Sequence, residues 1–358
     1  MQHAAIVGWG KCLPPAVLSN KDLESFFETS DEWITQRTGI RERRVSHVLL
    51  GELAYVAAER ALAAAGVPGP DVELIVFGTC SFDEQVPNMA SGLQRRIGAE
   101  TAAAMDVNTA CTSFLYGLST ATALIRNGAV KNALVIGAEL ISPFMDWTNR
   151  NVAVLFGDGA AAVVLQATDG EEGVLAEKLG CYGASRDILA VHGMGGRYAN
   201  LGKLYGETDW VFDGPEVFKR AVLGMSHACE SVLEKRALTP DAVDLVIPHQ
   251  ANLRIIEAVA KRAHVPMDKV FVNVQRYGNM SSATVPVALC EALEEGRVRP
   301  GATLLLTGFG GGLTWCAHLV RWGQRVQPLG SSAVDLPPCD KTAVELIRDV
   351  MMRKKTPS

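Results

Sequence analysis

The chain has 358 residues, of which 48% are apolar and 20% charged, and its formal net charge is -5. This composition predicts a globular protein with a continuous buried core, in one large or two moderate domains. An acidic balance without a Lys/Arg stripe argues against a nucleic-acid-binding surface.

The N-terminus and the cysteines predict a cytoplasmic protein. Residues 1–8 lack the charged segment, apolar core and cleavage site of a secretory signal. No apolar stretch approaches the length of about 18 residues that a membrane span needs. Eight cysteines lie far apart with no C-x-x-C pair, which predicts eight free thiols and no metal site.

Short aliphatic runs alternate with longer helical stretches. In chain order the patterns predict an irregular segment over 28–50, a helix over 52–65, a strand over Glu73–Phe77, helices over Met89–Ile97 and Cys111–Arg126, a strand over Ala133–Ile136, a long loop over 181–214, a helix over 217–236, a strand over Leu245–Ile247, helices over Leu253–Ala263 and Val285–Leu293, a strand over Thr303–Leu306 and a helix over Thr342–Met351. This alternation is typical of an α/β protein with covered sheets.

The same rhythm occurs twice. Residues 71–79 resemble residues 241–249, and residues 133–137 resemble residues 303–307. The paired leucines of these segments lie 60 residues apart in the first copy and 59 in the second. Such agreement indicates an internal duplication of one α/β unit.

We therefore predict two similar halves, residues 1–170 and 171–325, and then an extension over 326–358. Equivalent turns of the two halves carry Cys111 and Asn279. The functional site is expected on the face that the halves share.

Cys111 lies in the segment Asp106–Phe114, where a strand ends and a helix begins. At a helix N-terminus the macrodipole and the free amides favour the thiolate and lower the thiol pKa. Such a thiol can accept an acyl group. The alternative is a small buried core cysteine.

His249 and Asn279 offer two neutral hydrogen-bond donors at turns ahead of helices. His249 lies in Pro248–Asn252 and Asn279 in Tyr277–Ser282. Imidazole Nε2 and an amide can hold a thioester enolate formed by loss of carbon dioxide, without a metal or a general base. Alone, His249 reads as a structural histidine, and Asn279 reads as a helix N-cap signal.

The segment Phe309–Gly312 comes directly after a predicted strand. Its glycines allow a backbone amide to approach a substrate oxygen closely. With the amide of Cys111 it would form an oxyanion hole, whereas alone it is a tight turn.

Together these motifs resemble the β-ketoacyl-acyl carrier protein synthase III family of the thiolase superfamily, over about Ala5 to Arg321. The matching stretches are Thr29–Ile34, Arg37–Arg43, Asp106–Phe114, Phe156–Ala160, Pro248–Ile256, Gly278–Asn279 and Phe309–Trp315. The resemblance implies a duplicated α/β fold in five αβαβα layers, a homodimer, and decarboxylative Claisen condensation without a cofactor. Acyl-CoA would acylate Cys111, and malonyl-acyl carrier protein would lose carbon dioxide against His249 and Asn279.

The resemblance also assigns roles outside the catalytic set. It places Trp33, Arg37 and Arg150 on coenzyme A, Phe309 and Gly311 beside the reacting carbonyl groups, and Val86 and Phe156 at the acyl pocket. It further implies that Lys219, Arg254, Lys261 and Arg262 form a basic patch for the acyl carrier protein.

Several positions depart from the family pattern. Val86 stands where acetyl-specific enzymes carry a phenylalanine that closes the acyl pocket across the dimer. Pro215 replaces an asparagine that contacts the pantetheine arm, and Thr112 and Ser113 replace Ala and Gly after the cysteine. The smaller Val86 predicts a primer longer than acetyl.

Two other functions stay open at this point. A relative that transfers acyl groups to oxygen or nitrogen is disfavoured by His249 and Asn279, because it has no enolate to stabilise. A catalytically silent scaffold subunit is disfavoured by the intact Cys111.

Overall fold

The structure, a computed structural model, describes residues 2–193 and 208–355. Its strands are β1 His3–Cys12, β2 Ala16–Ser19, β3 Glu42–Val45, β4 Leu74–Gly78, β5 Ala103–Val107, β6 Asn132–Glu139, β7 Gly159–Thr168, β8 Gly173–Cys181, β9 Leu189–His192, β10 Asp209–Phe212, β11 Leu245–Pro248, β12 Thr303–Gly310 and β13 Thr314–Arg321. Its α-helices are α1 Asn20–Leu23, α2 Asp31–Thr38, α3 Leu50–Ala65, α4 Met89–Arg96, α5 Ser113–Arg126, α6 Arg150–Ala153, α7 Gly214–Glu234, α8 Leu253–Arg262, α9 Val274–Tyr277, α10 Thr284–Glu294 and α11 Ala343–Lys355.

Two mixed sheets share one topology. The first has the order β1-β7-β6-β4-β5 and the second the order β8-β13-β12-β11. In each, two parallel strands (β4 with β6, β11 with β12) continue into antiparallel neighbours. A parallel bridge from Val246 to Val270 lies where β5 pairs with β4 in the first sheet. The predicted duplication is therefore present in the strand order.

The sheets and helices alternate in layers. Helices α5 and α10 lie between the two sheets and contact both. Helices α3 and α4 cover the outer face of the first sheet, while α7, with α8 against it, covers that of the second. The strands in the middle of each sheet are buried on both faces and therefore read as continuous apolar runs, as in Leu74–Gly78. Within residues 2–193 and 208–355, no helix is long and apolar enough to cross a membrane.

Polar caps fix the starts of two helices that border the cavity described below. The Ser30 side chain accepts a hydrogen bond from the Trp33 amide at the start of α2. Asp213 caps α7 through the Glu216 amide, and Pro215 occupies the first turn, where no amide is needed. These caps set the positions of the first turns of both helices.

Two sequence expectations are wrong. Residues 28–50, expected to be irregular, contain α2 and β3. The sequence pattern does not indicate these elements because they are short and α2 is too polar for a periodic apolar signal. The expected loop over 181–214 contains β9 and β10, which pair antiparallel. The glycines at 195, 196, 202 and 206, which favour a loop, lie outside the described residues.

The extension after β13 runs back over the outer face of α3. The Leu329 amide donates to Ala64 O at 3.0 Å, and Arg60 Nη2 lies 3.1 Å from Asp335 Oδ1. His47 Nε2 donates to Pro337 O at 2.8 Å. The predicted helix of the extension is present as α11, and it packs on β2, β3 and the turn Ser142–Phe144.

The buried face of α11 contributes to stability. Ile347 is 1% exposed, in the same apolar cluster as Trp147. Replacing Ile347 by Ala should destabilise the full chain by about 2–5 kcal/mol, because it leaves a cavity in this cluster. The measurement is the midpoint of urea unfolding. Met352→Ala, on the same helix at a side chain that is 60% exposed, is the control and should change stability by less than about 0.5 kcal/mol. Equal effects of the two substitutions would contradict this packing.

Candidate active site

One cavity of about 740 Å³ opens at the carboxyl ends of the parallel strands of both sheets. Its inner polar wall consists of Cys80, Cys111, His249, Asn279, Ser281 and Gly311. Its apolar wall includes Ile141, Leu155, Phe156, Leu189, Val191, Trp210, Phe212, Met225 and Phe309, and its outer part Trp33, Arg37, Asn252 and Arg254. The three side chains singled out from the sequence thus line one cavity.

Cys111 lies in a 3₁₀ turn, Ala110–Thr112, directly before α5. The backbone of Gly310 passes so close that a Cβ there would lie 2.8 Å from the Cys111 amide nitrogen. Only glycine permits this approach of β12 to the nucleophile turn. Gly311 comes next and lies beside Ala110, so two backbone segments meet at the nucleophile turn, as an oxyanion hole requires.

His249 is a buried, neutral imidazole. Its Nδ1 lies 2.5 Å from Thr284 Oγ1, and the His249 amide donates to Thr307 O at 2.8 Å. Burial lowers the pKa of His249 to about 3. The ring is therefore a hydrogen-bonding group at neutral pH and a poor base.

Asn279 is held on both sides of its peptide and at its side chain. Its amide donates to Leu155 O at 2.8 Å, and its carbonyl accepts from the Gly157 amide at 3.1 Å. Asn279 Oδ1 accepts from the Ser281 amide at 2.7 Å. Because the oxygen is occupied, the Nδ2 group is the donor that this side chain can offer to a substrate.

The expected lowering of the Cys111 pKa is wrong in direction. Burial raises the pKa of this thiol to about 11; its hydrogen bonds with Ser281 and Asn279 lower it, and the negative charge of Glu139 raises it. The Phe114 amide, in the first turn of α5, donates to Ser282 Oγ at 3.1 Å and is therefore not free to stabilise a thiolate. Desolvation outweighs the helix terminus here.

Glu139 is a fully buried carboxylate beside this thiol that sequence reasoning missed. It accepts hydrogen bonds from Thr79, Cys80, Ser81, Ser281 and Ser282. Burial raises the Glu139 pKa above its ordinary value, against the effect of these donors. The sequence does contain a signal for Glu139: an acidic residue ends the apolar run of β6, at the carboxyl end of the strand, where open α/β sheets bind ligands.

The three predicted coenzyme A residues lie together: Trp33 and Arg37 line the outer part of the cavity, and Arg150 lies against Trp33 without lining it. The guanidinium carbons of Arg37 and Arg150 lie 4.7 Å and 4.9 Å from the centroid of the Trp33 ring. Arg150 also donates to Glu28 O at 3.1 Å. An indole in contact with two cationic guanidinium groups suits a nucleotide with phosphates.

The remaining predicted residues divide between the cavity and the surface. Phe309 and Phe156 line the cavity, and the Phe156 ring packs on Trp210 with 5.0 Å between centroids. Val86 does not line the cavity of its own chain, and its side chain is 85% exposed. Lys219 on α7 and Arg254, Lys261 and Arg262 on the adjacent α8 are exposed.

All eight cysteines are free, as expected. Across residues 2–193 and 208–355, no group of three His, Cys, Asp or Glu side chains is arranged to hold a metal ion.

Comparison with known proteins identifies the family. Residues 105–183 match the model of 3-oxoacyl-[acyl-carrier-protein] synthase III, and residues 233–322 match that of its C-terminal part. The chain is similar to β-ketoacyl-[acyl-carrier-protein] synthase III 2 of Vibrio cholerae, with 52% identity over 347 residues that cover 96% of this chain and 95% of the relative. It is also similar to β-ketoacyl-[acyl-carrier-protein] synthase III of Roseiflexus castenholzii, with 48% identity over 89% of this chain and 98% of the relative.

A solved structure is similar over the same extent. The 3-oxoacyl-[acyl-carrier-protein] synthase III of Aquifex aeolicus superposes with a TM-score of 0.84 and 42% identity, covering 89% of this chain and 100% of that one. The likeness confirms the thiolase fold and the family predicted from the motifs. Identity at this level over nearly the whole length shows that the chain belongs to the β-ketoacyl-[acyl-carrier-protein] synthase III family, the condensing enzymes of fatty acid initiation.

Proposed function

We propose that this enzyme condenses an acyl-CoA primer, longer than acetyl, with malonyl-acyl carrier protein through an acyl-Cys111 intermediate. One observation carries the proposal: a thiol and two neutral donors, His249 and Asn279, line the same cavity. That combination supplies both a nucleophile for acyl transfer and an environment for a carbanion.

In the first half of the reaction Cys111 attacks the thioester carbonyl of acyl-CoA. The backbone amides at Cys111 and Gly311 stabilise the oxyanion of the tetrahedral intermediate. Coenzyme A leaves through the outer part of the cavity, past Trp33 and Arg37. Phe309, buried at the wall, keeps water from the new thioester.

In the second half malonyl-acyl carrier protein loses carbon dioxide, and its thioester oxygen takes up the developing negative charge. Asn279 Nδ2 donates to this oxygen. His249 donates from Nε2 in the tautomer whose Nδ1, 2.5 Å from Thr284 Oγ1, accepts the hydroxyl proton; in the other tautomer that proton goes to Ser281 O at 3.0 Å. The Cα carbanion then attacks the acyl-Cys111 carbonyl. The product is a β-ketoacyl-acyl carrier protein.

The size and lining of the cavity support the longer primer. The cavity volume of about 740 Å³ lies within the range of small-molecule sites. The cavity must hold the pantetheine arm and the acyl chain of the primer together. Leu189, Phe212 and Trp210 of the β9–β10 pair provide apolar wall. Trp210 Nε1 donates to Phe144 O at 3.0 Å, which fixes this wall.

A homodimer accounts for Val86. The side chain is exposed on the loop after β4, near the free edge of β5, and unpaired strand edges favour pairing with another chain. In a dimer joined at β5, Val86 would reach the partner's acyl pocket. An isopropyl group there leaves more room than a phenyl ring.

The acidic carrier protein would dock on the basic patch of Lys219, Arg254, Lys261 and Arg262. Their side chains are exposed on two adjacent helices, and Arg254 also lines the cavity. Long-range attraction between opposite charges speeds such encounters. Because acyl-CoA and malonyl-acyl carrier protein are its substrates, we expect the enzyme in the cytoplasm. The proposed steps require no cofactor.

The primer assignment predicts a chain-length preference. Octanoyl-CoA should have a higher kcat/KM than acetyl-CoA, measured by release of labelled carbon dioxide. Val86→Phe should lower kcat/KM for octanoyl-CoA by about tenfold and leave that for acetyl-CoA unchanged, because added ring volume removes room for a few methylenes.

Mass spectrometry should show the acyl adduct on Cys111, absent in Cys111→Ala and retained in Cys181→Ala, the control at an exposed thiol. A higher value for acetyl-CoA would overturn the primer assignment.

The tautomer of His249 predicts a selective loss in Thr284→Val. Without the hydroxyl proton on Nδ1, Nε2 is no longer fixed as a donor, and decarboxylation should slow about 10–100-fold. The rate of Cys111 acylation should stay within about threefold of the wild-type rate.

Because the His249 pKa is about 3, protonation of His249 should add no limb to the pH profile of the decarboxylation rate between about pH 5 and 8. A limb near pH 6.5 that is lost in His249→Gln would contradict a neutral imidazole.

The outer cationic site predicts a substrate-selective binding defect. Arg150→Ala should raise KM for octanoyl-CoA about tenfold, since it removes a cationic group stacked on Trp33. The KM for octanoyl-pantetheine, which lacks the nucleotide, should not change. Arg299→Ala, at an exposed arginine on the opposite end of the second sheet, is the control. Parallel KM increases for both substrates would exclude this role for Arg150.

A further inference from the structure

We propose that Glu139, acting through Ser281, takes the proton of Cys111 when the thiol attacks the acyl-CoA carbonyl. The inference rests on the acylation of Cys111 proposed above and assigns a step to two residues that the condensation chemistry does not otherwise use. Ser281 lines the cavity with Cys111, interacts with the reacting thiol, and is a catalytic residue by this assignment. Glu139 is a positioning residue that acts through it.

The geometry provides the path. Ser281 Oγ donates to Glu139 Oε1 at 3.0 Å, and the same side chain interacts with the Cys111 thiol. A hydroxyl that gives its one proton to a carboxylate can accept a proton from a thiol with its lone pairs. The orientation therefore runs from Cys111 through Ser281 to Glu139. Both Cys111 and Ser281 line the cavity, so the path ends where the substrate carbonyl lies.

The other titratable groups of the inner cavity are poorer acceptors. His249 is neutral, and burial lowers its pKa to about 3. Cys80, which also contacts Glu139 and Ser281, is a thiol whose pKa burial raises well above its ordinary value. Asp158, the next buried carboxylate, is bonded to Ser46, Ile141 and Ser142 instead. Glu139 is thus the basic group that the Cys111 proton can reach.

Charge conservation favours this transfer over ionisation of the thiol to solvent. With Glu139 ionised, a free thiolate would be a second negative charge in a buried site, which is costly in a low dielectric. Moving the proton to Glu139 leaves one negative charge in the pair before and after. No cation bonds to Glu139 among the described residues that surround it, so nothing else offsets a second charge.

The step balances as thioester exchange. The Cys111 proton moves to Ser281 Oγ while the Ser281 proton moves to Glu139, and Sγ forms a bond to the thioester carbon. The carbon–sulfur bond to coenzyme A then breaks. In the intermediate both sulfurs are bonded to one carbon, so the proton returns by the same path to the departing thiolate. One thiol and one thioester are consumed and one of each is produced.

The test is single-turnover acylation of Cys111 by octanoyl-CoA, detected by mass spectrometry, in the full-length enzyme. Glu139→Gln and Ser281→Ala should each slow acylation about 100-fold, in the range of lost acid–base catalysis. Ser81→Ala, which removes a different donor to Glu139 and leaves the path intact, is the matched control and should stay within about threefold.

A pH profile separates proton transfer from a structural role. In the wild type the acylation rate should rise with pH as Glu139 ionises and then level off. In Glu139→Gln the rate should keep rising into the alkaline range, because the thiol must ionise by itself. Carbon dioxide release in the first turnover of enzyme that has been fully acylated beforehand should stay within about threefold of wild type in both variants.

Each other result overturns the proposal. If Glu139 acted only by its charge, Glu139→Gln would remove a repulsion and acylation would be as fast or faster. Equal loss of acylation and first-turnover decarboxylation would show that Glu139 merely holds the site together. Normal acylation in Ser281→Ala would exclude the path through this hydroxyl. A wild type that forms no Cys111 adduct would instead refute the acyl-enzyme mechanism itself.

Discussion

The active site depends on one contact, between the turn of residues 278–283 and the carboxyl ends of β4 and β6. Ser282 Oγ donates to Gly78 O at 2.9 Å and accepts from the Phe114 amide. The turn also lies so close to β6 that a Cβ on Gly137 would be 2.5 Å from Ser282 O. The turn belongs to the second half of the chain and the strands to the first. Docking it therefore positions Asn279 relative to Cys111.

The same contact holds unfavourable backbone conformations. Ala110 and Ser281 have φ angles of 51° and 45°, in the left-handed region that non-glycine residues rarely adopt. Each costs about 1–3 kcal/mol and persists only where the surroundings enforce it. One residue adjoins the nucleophile, and the other bonds Asn279 and Glu139. The strain is therefore part of how the site is preorganised, and it ties the geometry of the thiol to that of the donors.

Local periodicity and the internal duplication predict much of the fold and the three central site residues. The long helices and the buried strands have strong 3.6-residue or continuous apolar patterns, and their bounds fall within a few residues of the structure. Cys111, His249 and Asn279 can be identified because each lies at a turn directly ahead of a helix. Their convergence is predictable from the repeat, which relates the turns of Cys111 and Asn279 in the two sheets.

Other features have no local signature. Glu139 and Ser281 meet across 142 positions of sequence, so neither predicts the other. The direction of the Cys111 pKa depends on how completely the folded halves surround the thiol, a property of packing and not of the helix terminus. The strands β9 and β10 are short and half-buried, and within residues 2–193 and 208–355 they pair only with each other. Such elements are defined by tertiary contacts that override local propensity.

The extension beyond β13 supports the cavity wall from behind. Helix α11 packs on the turn Ser142–Phe144, and Phe144 O accepts hydrogen bonds from Thr208 and from Trp210 of β10. Ile347 shares its apolar cluster with Phe156 and Phe309, both of which line the cavity. Close-packed interiors transmit displacement because they lack free volume. The fold thus couples a segment outside the duplicated halves to the side chains that line the cavity.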